Sequence, residues 1–341
     1  VYCTTEPLSS GLEQSTHGDY DSVLGDRLKV VGTFREFVVY DADQVYPEYV
    51  VLYARVSRDM DAKKIEARMA SMPFQIELPI FWKHCYEDPR TSFFKANYAV
   101  RPSTKMLLQK LAQASLRGLP GERVHLLSAM RIENSEIWNR YIECKAMLWS
   151  RLEGRVKQSI RRGDGRRVGF PPAWELARDS KMGHVITSQH LSEHHIEEAI
   201  AKDSIEEPLN EFVLWHGTSK VAAEAIVDDD FRIPDRRTET VSRGQRYGCG
   251  AYFAEDLAKS LSYAPLEEGM VQFVLLCRVL CGDMYYTELA VENNADISAQ
   301  AKGKHSVLAN PGGAGPREFI VRGREQIYPE YILQMRVRSD E

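Results

Sequence analysis

Three stretches of this sequence hold residue types whose spacing suits chemistry on a flat, amide-bearing ligand. The apolar, β-prone run Val213-Leu214-Trp215 stops at His216-Gly217-Thr218, so a polar triplet sits where a buried strand is expected to end. Gly217 has no Cβ, which lets such a ligand approach its backbone N–H and C=O closely. Downstream, Gly248 and Gly250 flank Cys249 and bend the chain ahead of the aromatic pair Tyr252-Phe253. A helix-like stretch from Asp256 to Tyr263 then brings Ser260 and Tyr263, three residues apart, onto one helical face. A hydroxyl beside a ring suits an aromatic carboxamide, and the aromatic segment Tyr252-Phe253 supplies a stacking face.

In this order, HGT at 216–218, YGCGAYFA at 247–254 and SLSY at 260–263 resemble the catalytic domain of the poly(ADP-ribose) polymerases, which are diphtheria-toxin-like ADP-ribosyltransferases. A lone HGT or GxG would be weak, because short patterns recur by chance; three ordered pieces with compatible secondary structure rarely coincide. The resemblance implies that NAD is consumed as a substrate. It puts His216 on the adenosine ribose with Thr218 beside it, Gly217 and Ser260 on the nicotinamide amide, and Tyr252 and Tyr263 on the two faces of the pyridinium ring. Arg232, in Phe231-Arg232-Ile233-Pro234, matches the family's donor-loop arginine beside the diphosphate. An ordinary exposed loop arginine fits that position equally well.

Glu318-Phe319-Ile320-Val321 fits the family register in which an acid precedes an apolar strand triplet, so Glu318 completes a His-Tyr-Glu catalytic set with His216 and Tyr252. Cleaving a ribosyl–nicotinamide bond builds positive charge on the ribose, and a carboxylate holding the ribose hydroxyls stabilises that charge. The same group can polarise an incoming nucleophile. Taken alone, Glu318 would read as a surface acid at a strand end, where water makes the charge cheap. No metal is expected, because nicotinamide leaves as a neutral molecule. A GxGxxG turn of the dinucleotide-binding kind is absent.

The fold implied is α+β: two mainly antiparallel sheets forming a split core, with helices outside. The catalytic domain is expected over residues 123–338. It opens with a strand at Val124 to Met130 and a helix from Glu136 that Asn134 or Ser135 can cap. An insertion is expected at 150–205, since the family connects its first helix to the HGT strand more directly. Within it, Arg161-Arg162-Gly163-Asp164-Gly165-Arg166-Arg167 reads as a solvated basic loop, with nucleic-acid binding as the sharper alternative. His190 and His194 have i, i+4 spacing but lack the accompanying residues of a zinc site. Met270 to Cys281 is apolar nearly throughout and reads as a central strand in which Cys277 and Cys281 pack. Ahead of the domain, 57–122 reads as a charged linker or surface helix, a dense aromatic brace at Phe74 to Tyr98, and an amphipathic helix at Lys105 to Leu116.

Residues 1–56 repeat the C-terminal part of the chain. From Arg35 to Leu52 against Arg317 to Gln334, nine of eighteen residues are identical at a constant offset of 282. Ser22-Val23-Leu24 also echoes Ser306-Val307-Leu308, and no HGT precedes the first copy. The expectation is a truncated transferase repeat ahead of a complete one. A bolder reading has the two copies competing for one strand edge.

The 341 residues are 43% hydrophobic, ample for a sizeable core, and the net charge of -5 gives no reason to expect general affinity for nucleic acid or anionic membrane. Six scattered cysteines lack zinc-ligand spacing and the density of a secreted disulfide scaffold, so an intracellular address, nuclear or cytoplasmic, is expected. The leading expectation is ADP-ribosyl transfer from NAD to an acceptor protein, itself included. The competing class is a silent module that binds NAD or ADP-ribose as a scaffold.

Overall fold

The computed structural model describes residues 2–4, 22–26, 35–39, 42–45, 78–79, 81–87, 92–162, 169–177, 183–193, 205–233 and 245–339. The expected linker at 57–72, the loop 163–168 of the basic run, and His194 and His195 lie outside them. The chain divides into two compact units, Val1–Arg58 and Asp59–Glu341.

The first unit contains a three-stranded sheet of β1 (Tyr2–Thr4), β2 (Ser22–Gly25) and β3 (Glu36–Val39), in that order. Strand β1 runs parallel to β2, and β2 antiparallel to β3 with Gly25 opposite Glu36. Strand β3 is an edge, and Phe37 is 71% exposed.

The second unit is built on one nine-stranded sheet. In chain order its elements begin with β4 (Lys95–Ala99), α1 (Pro102–Ala114), β5 (Glu122–Asn134), α2 (Ser135–Arg162), α3 (Ala173–Leu176) and α4 (Ile186–Glu193). They continue with β6 (Glu211–Thr218), α5 (Lys220–Asp229), β7 (Ala251–Ala254), α6 (Leu257–Leu261), β8 (Gln272–Leu280) and β9 (Met284–Thr287). The last are α7 (Ala295–Ala301), β10 (Ser306–Ala309), β11 (Glu318–Val321) and β12 (Ile327–Ser339). The strand order is β4-β5-β12-β8-β6-β7-β11-β10-β9, antiparallel except for β9 with β10.

The two halves of this α+β sheet are joined at a narrow seam. Strands β6 and β8 share eight ladder pairs from Glu211↔Leu280 to Thr218↔Phe273. Strands β6 and β7 share one, Trp215↔Ala254. The expected split core takes this form, two mainly antiparallel blocks meeting at a single pair.

Side-chain alternation explains the central strands. Val213 and Trp215 of β6, with Val274 and Leu276 of β8, enter a cluster on one face with Leu108 and Leu111 of α1. Leu214, Leu275 and Cys277 enter the opposite cluster with Ala223 and Ile226 of α5. Both faces are covered, which is why these strands read as continuous apolar runs. The aromatic-dense segment packs as well: Trp82 lies 5.4 Å from Trp138 of α2 and 5.7 Å from Tyr328 of β12, centroid to centroid.

The sheet extends upstream of the expected domain start at 123. Lys95–Ala99 pairs with β5, and its alternating exposure is that of an edge strand, a weak pattern in a stretch dominated by aromatics. The helix cap is Asn134, whose Oδ1 accepts from the N–H groups of Glu136 and Ile137 at 3.1 and 3.2 Å. Among the described residues, no helix is long and apolar enough to cross a membrane.

Candidate active site

A cavity of 610 Å³ opens at the seam between the two halves of the sheet, a size in the range of small-molecule sites. Beyond Trp215↔Ala254 no further ladder pair joins β6 to β7 among the described residues, so His216 and Gly217 leave the ladder on that edge and line the cavity. Tyr252 of β7, Glu318 of β11, Ser260 and Tyr263 line it as well. His216, Tyr252 and Glu318 thus come from three adjacent strands, in the order β6-β7-β11. Arg232 also lines the cavity and is exposed. Thr218 is not among the lining residues; it lies at the end of β6 opposite Phe273.

Each group is held in place by its own strand or turn. The Nδ1 of His216 donates to the carbonyl of Tyr252 at 2.8 Å, which substitutes for the missing ladder bond and leaves Nε2 as the acceptor nitrogen. Phe231 and Phe253 pack on the ring at 5.0 and 5.4 Å. Burial holds this imidazole below its ordinary pKa of 6.5, opposed by the smaller effect of the carbonyl bond. The neutral form is therefore favoured in the folded chain. Below pH 6.5 the unfolded chain binds more protons than the folded one, so stability falls as the pH drops through 6.5 toward the folded value. His216→Asn should flatten that part of a plot of melting temperature against pH, and an unchanged acid slope would exclude His216 as its source.

The Tyr252 hydroxyl closes the glycine turn, donating to the carbonyl of Gly248 at 2.7 Å and accepting from the N–H of Tyr247 at 3.0 Å. Burial pushes its pKa well above the usual tyrosine range, so it stays a neutral phenol. Tyr252→Phe strands two backbone groups. The expected cost is about 1–3 kcal/mol of unfolding free energy, measured by denaturant titration. Gly248 has φ +90, and a Cβ there would lie 2.0 Å from Asp296 Oδ1, so the turn requires glycine on both counts.

The packing of α6 also requires a glycine at position 217. The atom occupying the space of its absent Cβ is the Ser260 carbonyl oxygen, 1.7 Å from the ideal Cβ position. Helix α6 therefore rests directly on the β6 backbone, and the Ser260 hydroxyl donates to the Trp215 carbonyl at 3.0 Å. Asp256 caps α6, its Oδ1 accepting from Ala258 N–H at 2.9 Å. On the other side, Ser219 caps α5. At its end Asp230, with φ +80 and held by Arg140 at 2.8 Å, turns the chain so that Phe231 and Arg232 face the cavity.

Glu318 is 3% exposed and pairs with Lys259 Nζ at 3.1 Å. Sequence reasoning did not single out Lys259. The signal available was a lysine immediately before Ser260 in a short helix, but its partner is distant in the chain. The same Nζ lies 5.4 Å from the centre of the Tyr263 ring. Chemically, the cavity offers the rings of Tyr252 and Tyr263, a histidine whose neutral form burial favours, and a carboxylate paired with a lysine.

Residues 180–315 match the family profile of the poly(ADP-ribose) polymerase catalytic domain. The chain is 29% identical over 131 residues to the human protein mono-ADP-ribosyltransferase PARP12, covering 38% of this chain and 18% of that protein. It is 27% identical over 155 residues to poly [ADP-ribose] polymerase 2 of Arabidopsis thaliana, covering 37% of this chain and 24% of the relative. Against poly [ADP-ribose] polymerase 1 of Gallus gallus it is 32% identical over 99 residues, covering 29% and 9%. The chain thus spans less than a quarter of the length of each of these relatives. The profile match contains His216, Tyr252, Ser260 and Tyr263 but stops short of Glu318, which the fold alone brings to them. Over residues 180–315, the chain is thus similar to the poly(ADP-ribose) polymerase catalytic domain.

Proposed function

We propose that this chain is an NAD-dependent protein ADP-ribosyltransferase, with its catalytic unit in residues 123–338 and residues 1–56 a copy of that unit's C-terminal part. The observation that carries the reading is the convergence of His216, Tyr252 and Lys259-paired Glu318 on one cavity.

The residues divide the work as follows. Gly217 and Ser260 receive the carboxamide, and Tyr252 and Tyr263 flank the pyridinium ring, whose charge favours aromatic faces. His216 accepts from an adenosine ribose hydroxyl through Nε2, and Arg232 pairs with the diphosphate. The bond between the ribose anomeric carbon and the nicotinamide nitrogen breaks, and its electron pair leaves with neutral nicotinamide. Glu318 stabilises the positive charge left on the ribose and accepts the proton of the acceptor nucleophile as the new glycosidic bond forms. Arg232 contributes binding, so its removal would weaken NAD without abolishing the chemistry.

The test is incubation with NAD labelled in its ADP-ribose part. Covalent label on the protein or on added acceptor supports the proposal; saturable NAD binding with no transfer would instead make the chain a scaffold module. Product length on a gel separates single-unit transfer from the polymer growth that Glu318 permits.

A further inference from the structure

Immediately before Glu318, Arg317 is fully buried, and so is its partner Glu255, the residue that follows β7. Arg317 Nε and Nη2 both donate to the Glu255 carboxylate, the latter at 2.8 Å. The rest of the guanidinium is used as well: Nη1 donates to the Gly183 carbonyl at 3.0 Å and Nη2 to that of His184 at 2.9 Å. Glu255 Oε2 in turn accepts from the N–H of Ile186 at 2.6 Å, at the start of α4. This closed set of bonds joins three segments that are far apart in sequence. It sits one residue past the last pair of the β7–β11 ladder, Ala254↔Glu318.

That position gives the pair a specific mechanical consequence. Glu318 is the first residue of β11, so its backbone is held by the ladder on one side only, and the residue on the other side is Arg317. Of the two backbone neighbours that could swing the carboxylate away from Lys259, one is in the sheet and the other is clamped. The clamp also recruits 183–186, a segment of the expected insertion, which is tied independently to β6 by Thr187 Oγ1 donating to the Val213 carbonyl at 2.5 Å. A fully buried ion pair is a poor source of net stability, because desolvating both charges offsets most of their attraction. Fixing geometry is what such a pair can supply. A lysine could not take its place, since four donor contacts to one carboxylate and two carbonyls need the planar fork of arginine.

We infer that Arg317 and Glu255 are positioning residues for the transfer reaction, setting the reach of Glu318 into the cavity and making segment 183–186 a working part of the catalytic centre. The inference rests on the transferase reading above.

The experiment compares Arg317→Lys and Glu255→Gln with Arg278→Lys, which weakens a second fully buried ion pair, Arg278–Glu330, and serves as the stability control. Melting temperature, kcat and KM for NAD, and the affinity of benzamide, a flat aromatic carboxamide, are measured on each protein. The expected result is a fall in kcat of about 10- to 100-fold in the first two variants, the loss typical of a slightly misplaced catalytic group, with KM and benzamide affinity near those of the wild type. Arg278→Lys should lose melting temperature while keeping kcat. Should Arg317→Lys not fold, Glu255→Asp, which shortens the pair by one methylene, carries the comparison. Unchanged kcat in a folded Arg317 or Glu255 variant, or an equal kcat loss in Arg278→Lys, overturns the inference alone. A wild-type chain that binds benzamide and NAD yet transfers nothing overturns the transferase reading, and this inference with it.

Discussion

Glu318→Gln is expected to lower ADP-ribose transfer by about 100- to 1,000-fold, the range seen when one preorganised group is removed from developing charge. The substitution preserves shape and removes only the negative charge. Two consequences add. The cationic ribose loses the nearby anion that stabilises it, and Lys259, 3.1 Å away in the wild type, loses its counter-charge and becomes a cation beside another developing cation. Gly217 and Ser260 are untouched, so benzamide binding should persist at wild-type affinity. The check is single-turnover transfer of labelled ADP-ribose alongside a binding isotherm. Transfer within about threefold of the wild type, a difference of well under 1.4 kcal/mol in barrier, would remove Glu318 from the mechanism.

Gly217→Ala is expected to damage both fold and binding, through one contact. An ideal Cβ would lie 1.7 Å from the Ser260 oxygen and 2.6 Å from its carbonyl carbon. Both atoms are backbone, so no side-chain rotation relieves the overlap, and α6 must shift as a body. Overpacking of this kind typically costs about 1–3 kcal/mol. Because α6 carries Lys259 and Ser260, the shift also moves the lysine off Glu318 and the serine off the Trp215 carbonyl. Denaturant unfolding and benzamide titration should therefore change together. Alanine is otherwise well tolerated at a strand end, so a variant with wild-type stability and binding would mean that α6 does not rest on β6 in this way.

Much of the site was legible residue by residue. The apolar run ending at His216, the glycine turn before Tyr252, a helix start capped by Asn134 or Ser135, the helix-like stretch from Asp256 and the apolar central strand around Leu275 all follow from periodicity and turn chemistry. These act over a few neighbouring residues and so are written in local order. The match of Arg35–Leu52 to Arg317–Gln334 was likewise visible as letters, and β1-β2-β3 shows the same succession of parallel and antiparallel pairing as β9-β10-β11. Other features depend on which strands lie side by side. The narrow β6–β7 seam, the Lys259–Glu318 pair, the Arg317–Glu255 clamp and the carbonyl that makes Gly217 obligatory each join segments distant in the chain. A local pattern can say that Glu318 begins a strand and that Lys259 sits on a helix. Only the strand order, set by the need to bury both faces of the sheet at once, brings that lysine to that carboxylate.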